Sequence, residues 1–248
     1  MKYIKFIMVT LFFIPTLLIA QDAKSIATKA NNLLRGESSF ARVTMQIIKP
    51  DWSREFEMKT WSLEPDYALI LITAPARDKG TVTLKRETEV WNWIPKVQRT
   101  IKIPPSMMMQ PWMGSNFTND DLVRESSIVE DYTHHLMASD TLDGRPCYQI
   151  KLLPKPDVGV VWGKIIMWIT QNGYQELKAD YYDEDNNRIK SMIGQNIQSM
   201  DGRKIPTHWE MIPHNKPGEK TVLIYRELDF NIDVEPSFFS IRNMKRIR

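Results

Sequence analysis

Residues 164–182, KIIMWITQNGYQELKADYY, decide the class of fold. Two runs rich in β-branched and aromatic residues flank Gln171-Asn172-Gly173, and Asn-Gly adopts positive φ at low cost, so the segment reads as a β-hairpin. The same grammar recurs on either side. Residues 131–138 and 147–153 flank Asp143-Gly144, and residues 188–197 and 204–212 flank Asp201-Gly202. Upstream, residues 40–49, 55–63, 67–73, 81–85, 89–94 and 97–103 read as strands. Turn chemistry separates them at Lys49-Pro50-Asp51, Glu64-Pro65-Asp66, Ala74-Pro75 and Ile94-Pro95-Lys96. Residues 219–230 close the series. Short strands at close intervals predict antiparallel meanders, not βαβ units.

Only residues 22–36 carry a clear long helical period, with Ile26, Ala27, Ala30, Leu33 and Leu34 on one stripe, Asp22 as N-cap and Gly36 as stop. The expected fold is therefore mainly β (α+β): a strongly curved antiparallel sheet or incomplete β-barrel of about 11 strands with an N-terminal helix. No linker divides it, so residues 21–248 read as a single domain.

Residues 1–20 read differently. A basic start with Lys2 and Lys5 precedes a charge-free run from residue 6 to residue 20 that is interrupted by Pro15. A basic start, a short apolar stretch and a small residue at its end describe a signal peptide, with cleavage expected after Ala20. A membrane anchor wants about 20 apolar residues without such a break. The expected product is a soluble, exported protein. The formal net charge of +3 includes Lys2 and Lys5, so the exported part is nearly neutral, with both signs interspersed, and nucleic acid is not an expected partner.

Chemistry-bearing constellations are scarce. The single cysteine, Cys147, lies in an alternating run and reads as a buried structural thiol. His134 and His135 are adjacent on an expected strand and point to opposite faces, and no HExxH, HxH or CxxC spacing exists, so no metal site and no cofactor are expected. Asp120-Asp121 follows Thr118-Asn119 in a capping-box-like pattern, which favours helix-start acids over a catalytic pair. Ser115 follows Gly114 without a Gly-x-Ser-x-Gly elbow.

The unusual stretch is residues 91–124, WNWIPKVQRTIKIPPSMMMQPWMGSNFTNDDLVR. Methionine is unbranched and polarizable, and a Met-rich surface repacks around apolar partners of variable shape. Trp91 and Trp93, two apart on one expected strand, form a wall of a cavity or part of the core. Met107, Met108 and Met109 cannot all face one core from regular structure, and residues 104–117 read as a lid or rim. The candidate ligand contacts are Trp91, Trp93, Met107, Met108, Met109, Trp112, Met113 and Phe117. No catalytic residue is expected.

Several strings resemble the outer-membrane lipoprotein-sorting proteins, the superfamily of the lipoprotein carrier LolA, its receptor LolB and the sigma-factor regulator RseB. They are SSFARV at residues 38–43 after the amphipathic helix, WSLEPDY at 61–67, TEVWNWIP at 88–95 and EPSFFS at 235–240. Lys79-Gly80, residues 99–102 and especially MGSNFTNDDL at 113–122 resemble a subgroup that often accompanies RND-type export permeases. The resemblance implies an incomplete barrel with short lid helices over a hydrophobic cavity that shields acyl chains, and Arg42 as a candidate for the carrier's lid-locking arginine. The implied partners are lipid or acylated lipoprotein cargo, an RND-type inner-membrane permease and transient membrane contact. The implied function is a periplasmic, non-enzymatic carrier in lipoprotein or lipid trafficking. The alternatives are a lipid-sensing or accessory subunit of an export complex, and a lipid esterase using Ser115 or another serine.

Overall fold

The computed structural model describes residues 22–124, 128–156, 158 and 160–248. The expected signal peptide lies outside the described residues, as does the end of the helix expected after Thr118. The chain enters through α1 (Ala23–Arg35) and continues into six strands: β1 (Ser38–Ile48), β2 (Ser53–Leu63), β3 (Tyr67–Ala74), β4 (Val82–Arg86), β5 (Glu89–Ile94) and β6 (Arg99–Lys102). An irregular segment then leads to α2 (Asn119–Arg124). The second half contains β7 (Tyr132–Leu136), β8 (Asp140–Leu142), β9 (Arg145–Pro154), β10 (Lys164–Thr170), β11 (Glu176–Tyr182), β12 (Arg188–Met200), β13 (Arg203–Pro213) and β14 (Lys220–Phe230). It closes on α3 (Ile241–Met244).

All the strands belong to one 14-stranded antiparallel sheet, ordered β6-β5-β4-β3-β2-β1-β14-β13-β12-β11-β10-β9-β7, with β8 also on β9. The first strand pairs with the last, so two meanders fan out from the β1–β14 seam and the sheet stays open at β6 and β7. Register shifts at Arg42/Val43, Glu57/Met58, Trp168/Ile169 and Tyr181/Tyr182 mark bulges. Each bulge bends its strand and raises the local twist, which curls the sheet into an open barrel. The sheet has more strands than the expected 11 or so; only β8, three residues long and too brief to show a period, matches none of the runs read from the sequence.

Two local expectations change. The Asp22 side chain accepts no capping hydrogen bond from α1; its backbone carbonyl accepts from Ile26 N–H at 3.1 Å instead. The hairpin at residues 171–175 does not place positive φ on Asn172; Gly173 (φ 100°) and Tyr174 (φ 58°) adopt it, and β11 begins only at Glu176. Gln175 explains the longer loop: its N–H donates to Thr170 Oγ1 at 2.9 Å, and its carbonyl accepts from Thr170 N–H at 2.9 Å.

Alternation along each strand produces two apolar layers. On the concave face, Ile26, Ala27 and Ala30 of α1 pack on Ile150, Ile165, Met167, Trp209 and Met211, and Val43, Met45 and Met58 continue this layer across the β1–β14 seam. On the convex face, Leu69, Leu71, Val82 and Leu84 are covered by Phe239 and by Met244 of α3. Cys147 is fully buried on the convex side with Trp168 and Leu177, and burial holds its thiol pKa up, away from the reactive range.

Candidate functional site

Residues 103–124 form a strap across the concave face. The strap starts at the β6 edge, where Met107 and Met108 pack on Val90 and Ile103. Prolines 104, 105 and 111 break any continuous helix, leaving short 3-10 turns at Pro105–Met107 and Trp112–Gly114. Met113 (φ 54°) and Gly114 (φ 81°) are left-handed and reverse the chain, so that Pro111 bridges Thr118 and Trp112 N–H donates to Phe117 O at 2.7 Å. Gly114 suits this place because only glycine takes that φ without steric cost.

Polar ties hold the strap in position. Asn116 N–H donates to Thr221 Oγ1 at 2.9 Å, and Asn116 Nδ2 donates to Glu219, which is also bonded by Lys49. The Lys49 bond is the main cause holding the Glu219 carboxyl pKa below its ordinary range. The expected capping box is present: Thr118 N–H donates to Asp121 Oδ2 at 2.7 Å, and Asp121 N–H donates to Thr118 Oγ1 at 3.1 Å. Asp121 also pairs with Lys190 Nζ at 2.7 Å, the two side chains being only 15% and 5% exposed. The Lys190 ammonium lies 4.7 Å from the Trp162 ring centre and 5.2 Å from that of Tyr181. A buried pair this well surrounded is costly to break, because the surviving charge stays desolvated.

Beneath the strap lies a cavity of about 200 Å³. Ala41, Val43, Met58 and Ile70 line its sheet wall, Leu223, Tyr225 and Leu228 line the seam, and Leu34 of α1 and Trp112 and Phe117 of the strap cover it. Leu223 and Tyr225 face the same way as Leu228 because the bulge beside Arg42 inserts Arg226 and flips the alternation. Trp112 is anchored by Nε1–H donation to Thr83 Oγ1 at 3.1 Å, and Thr83 donates onward to Asn92 Oδ1 at 2.7 Å. The polar end carries Ser39 and Ser62, 2.8 Å apart, the Arg35–Glu64 pair at 3.6 Å, and Lys85, whose Nζ donates to Pro65 O at 2.7 Å.

The eight sequence-derived contacts are not brought together. Trp112 and Phe117 line the cavity, and Met113 packs beside Trp112 on the same layer. Met107 and Met108 support the root of the strap, while Met109 is 50% exposed. Trp91 and Trp93 face the convex layer of Leu84, Phe239 and Met244. Their spacing correctly put them on one face, but nothing local said which face. The residues the sequence reading missed, such as Ala41, Met58, Ile70 and Tyr225, carried only the period-two signal that every wall residue carries.

Arg42 is on the outer surface, paired with Glu227, not at the lid. Ser115 is buried, and its hydroxyl exchanges hydrogen bonds with the backbone of Phe117, its N–H at 3.1 Å and its carbonyl at 3.4 Å. His134 Nε2 lies 3.0 Å from Ile128 O, and burial lowers its pKa, so its ring is neutral at pH 7. Among the described residues no group of His, Cys, Asp and Glu is arranged to hold a metal ion, and no helix is long and apolar enough to cross a membrane.

The open antiparallel barrel wrapped around a helix and a strap is a LolA-like fold. The structure matches a DUF1329 family protein from Desulfovibrio piger with a TM-score of 0.81 at 21% identity, over 90% of this chain and 97% of that one. It matches a domain assigned to outer-membrane lipoprotein sorting from Vibrio parahaemolyticus with a TM-score of 0.79 at 24% identity, over 90% and 98%. A LolA superfamily protein from Nitrosomonas europaea gives 0.76 at 24% identity, over 90% and 99%. No curated protein matches the chain. A family model described as "uncharacterized protein"-like matches residues 64–246, and the chain belongs to that family.

Proposed function

We propose that the protein is a periplasmic carrier that holds an acyl chain of a lipid or lipoprotein in the cavity beneath the strap, without catalysis. The observation that carries this reading is an apolar cavity closed by a hydrogen-bonded strap instead of being filled by side chains. Globular interiors are close-packed, and a void costs stability unless something occupies it. Each methylene taken from water contributes about 0.8 kcal/mol, so even part of an acyl chain binds usefully. The cavity is smaller than the roughly 300–1,000 Å³ of pockets that enclose whole small ligands. Loading a full chain therefore requires the strap to swing away from Thr221 and Lys190. The Ser39–Ser62 and Arg35–Glu64 end suits the polar portion of the cargo.

In this reading the donor or recipient is a membrane permease of the RND type, tested by co-purification of the two. The carrier activity itself is tested by native mass spectrometry and solvent extraction of the protein purified without detergent. A lipid adduct is expected, and it should be lost when Ala41→Phe fills the cavity. Protein that carries no lipid and takes none up from acyl-chain probes overturns the reading.

A further inference from the structure

Antiparallel connectivity sends the β1–β2, β3–β4, β5–β6 and β13–β14 turns to the same end of the sheet. They touch in sequence. Pro50 Cγ stands 3.3 Å from where a Cβ on Gly218 would be, Arg54 pairs with Asp78 at 2.9 Å, and Pro95 Cγ stands 3.4 Å from a Cβ built on Gly80. The four turns thus form a continuous rim. Two large apolar side chains project from it into solvent: Trp52, 49% exposed, and Val97, 58% exposed. Around them Arg77, Lys79, Lys96 and Lys216 are exposed, joined by Arg99 at the start of β6.

The acids of this rim do not balance these bases. Asp78 is paired with Arg54 and Glu219 with Lys49, which leaves Asp51 as the exposed acid of the four turns. The patch has limits: the β11–β12 turn at the same end carries Asp183, Glu184 and Asp185. At the opposite ends of the same strands Asp66 and Glu87 are exposed beside Arg86, while Glu64 pairs with Arg35 and Glu89 with Lys102. Overall near-neutrality thus conceals a basic rim.

We propose that this rim docks on an anionic lipid bilayer, with Trp52 and Val97 entering the headgroup region and the surrounding lysines and arginines meeting lipid phosphates. An exposed tryptophan among basic residues fits a membrane interface, where an amphipathic ring is half dry and the surface potential is negative. The two apolar tips are about four strand spacings apart, roughly 19 Å, which gives two footholds and fixes the sheet's orientation. The rim also contains Lys49 and Glu219, which hold Asn116 of the strap, so docking places the membrane beside the strap's tether. The inference deepens the carrier reading by assigning its membrane-facing end, yet it is tested independently of cargo.

The test is co-sedimentation of the chain from Gln21 onward, which contains every described element, with vesicles of phosphatidylcholine alone or with about one-third phosphatidylglycerol. Binding to the anionic vesicles and release at high salt are expected. Lys79→Glu, Lys96→Glu and Lys216→Glu together should weaken it by at least about 100-fold, because losing each basic residue near such a surface costs about fivefold and the new acids add repulsion. Trp52→Ser should weaken it about tenfold, whereas Lys204→Glu at the other end should leave it unchanged. Circular dichroism establishes that each variant is folded. Binding indifferent to lipid charge, binding unaffected by the rim variants, or no binding at all overturns the docking surface. A bound lipid found in the same preparation would leave the carrier reading standing.

Discussion

The two apolar layers of the sheet draw on the same residue types and end in opposite states. On the convex side, Leu69, Leu71, Val82 and Leu84 are sealed by Phe239 and Met244, with Tyr67 stacked on Phe239 at 5.5 Å. On the concave side, Val43, Met58, Ile70 and Trp112 surround a cavity with threonines, serines and Lys85 among them. The difference lies in the covering element. A C-terminal segment with two adjacent phenylalanines fits its groove, whereas a proline-broken strap pinned at Asn116, Trp112 and Asp121 spans its groove and leaves a void. Aromatic and methionine content marks an apolar layer; only the cover decides whether that layer is core or site.

Variants that treat the layers differently can break this comparison. The largest effect is expected for Phe239→Ala, which should cost about 3–5 kcal/mol in chemical denaturation while the surviving folded fraction binds acyl probes normally. Impaired binding at conditions where the variant is folded would mean the convex layer contributes to the site. Lys190→Met should cost about 3 kcal/mol and speed hydrogen exchange in α2, because Asp121 is left desolvated; adding Asp121→Asn should recover most of the loss. If the double variant is simply the sum of the singles, the pair does not tie the strap.

Smaller effects sharpen the picture of the strap. Trp112→Phe removes the hydrogen bond to Thr83 and should cost about 1 kcal/mol, with modestly faster ligand exchange, since Thr83 keeps its bond to Asn92. For Glu219 the folded pKa lies below the ordinary value of 4.5, so its contribution is complete above that value and is lost as pH falls through the folded pKa. Exchange at Asn116 should accordingly accelerate on acidification below about pH 4.5, and Glu219→Gln should flatten that profile. Met109→Ser, at an exposed position, should change stability by less than about 0.5 kcal/mol and leave binding unchanged.

Much of the fold was legible because it rests on local rules. Alternation and Gly, Pro and Asn punctuation gave the meanders, the α1 stripe gave the helix, and Thr118 to Asp121 gave the capping box. Strand order at the β1–β14 seam and the face of each strand depend on contacts far apart in sequence, and so escaped. Trp91 and Trp93 illustrate this: their shared face was readable, its direction was not. Lys190 gave no signal at all, since a lysine in an alternating strand looks like any solvated position until α2 brings Asp121 to it. The strap was legible for the opposite reason, because its prolines and consecutive methionines fit neither period.

The most direct measurement is the affinity of a fluorescent fatty acid for two variants of matched stability, Ala41→Phe under the strap and Trp93→Leu on the convex layer. The account predicts that Ala41→Phe abolishes binding and Trp93→Leu leaves it within about twofold, equivalent to roughly 0.4 kcal/mol. Unaltered binding by Ala41→Phe, or loss confined to Trp93→Leu, would contradict it and move the site to the other face of the sheet.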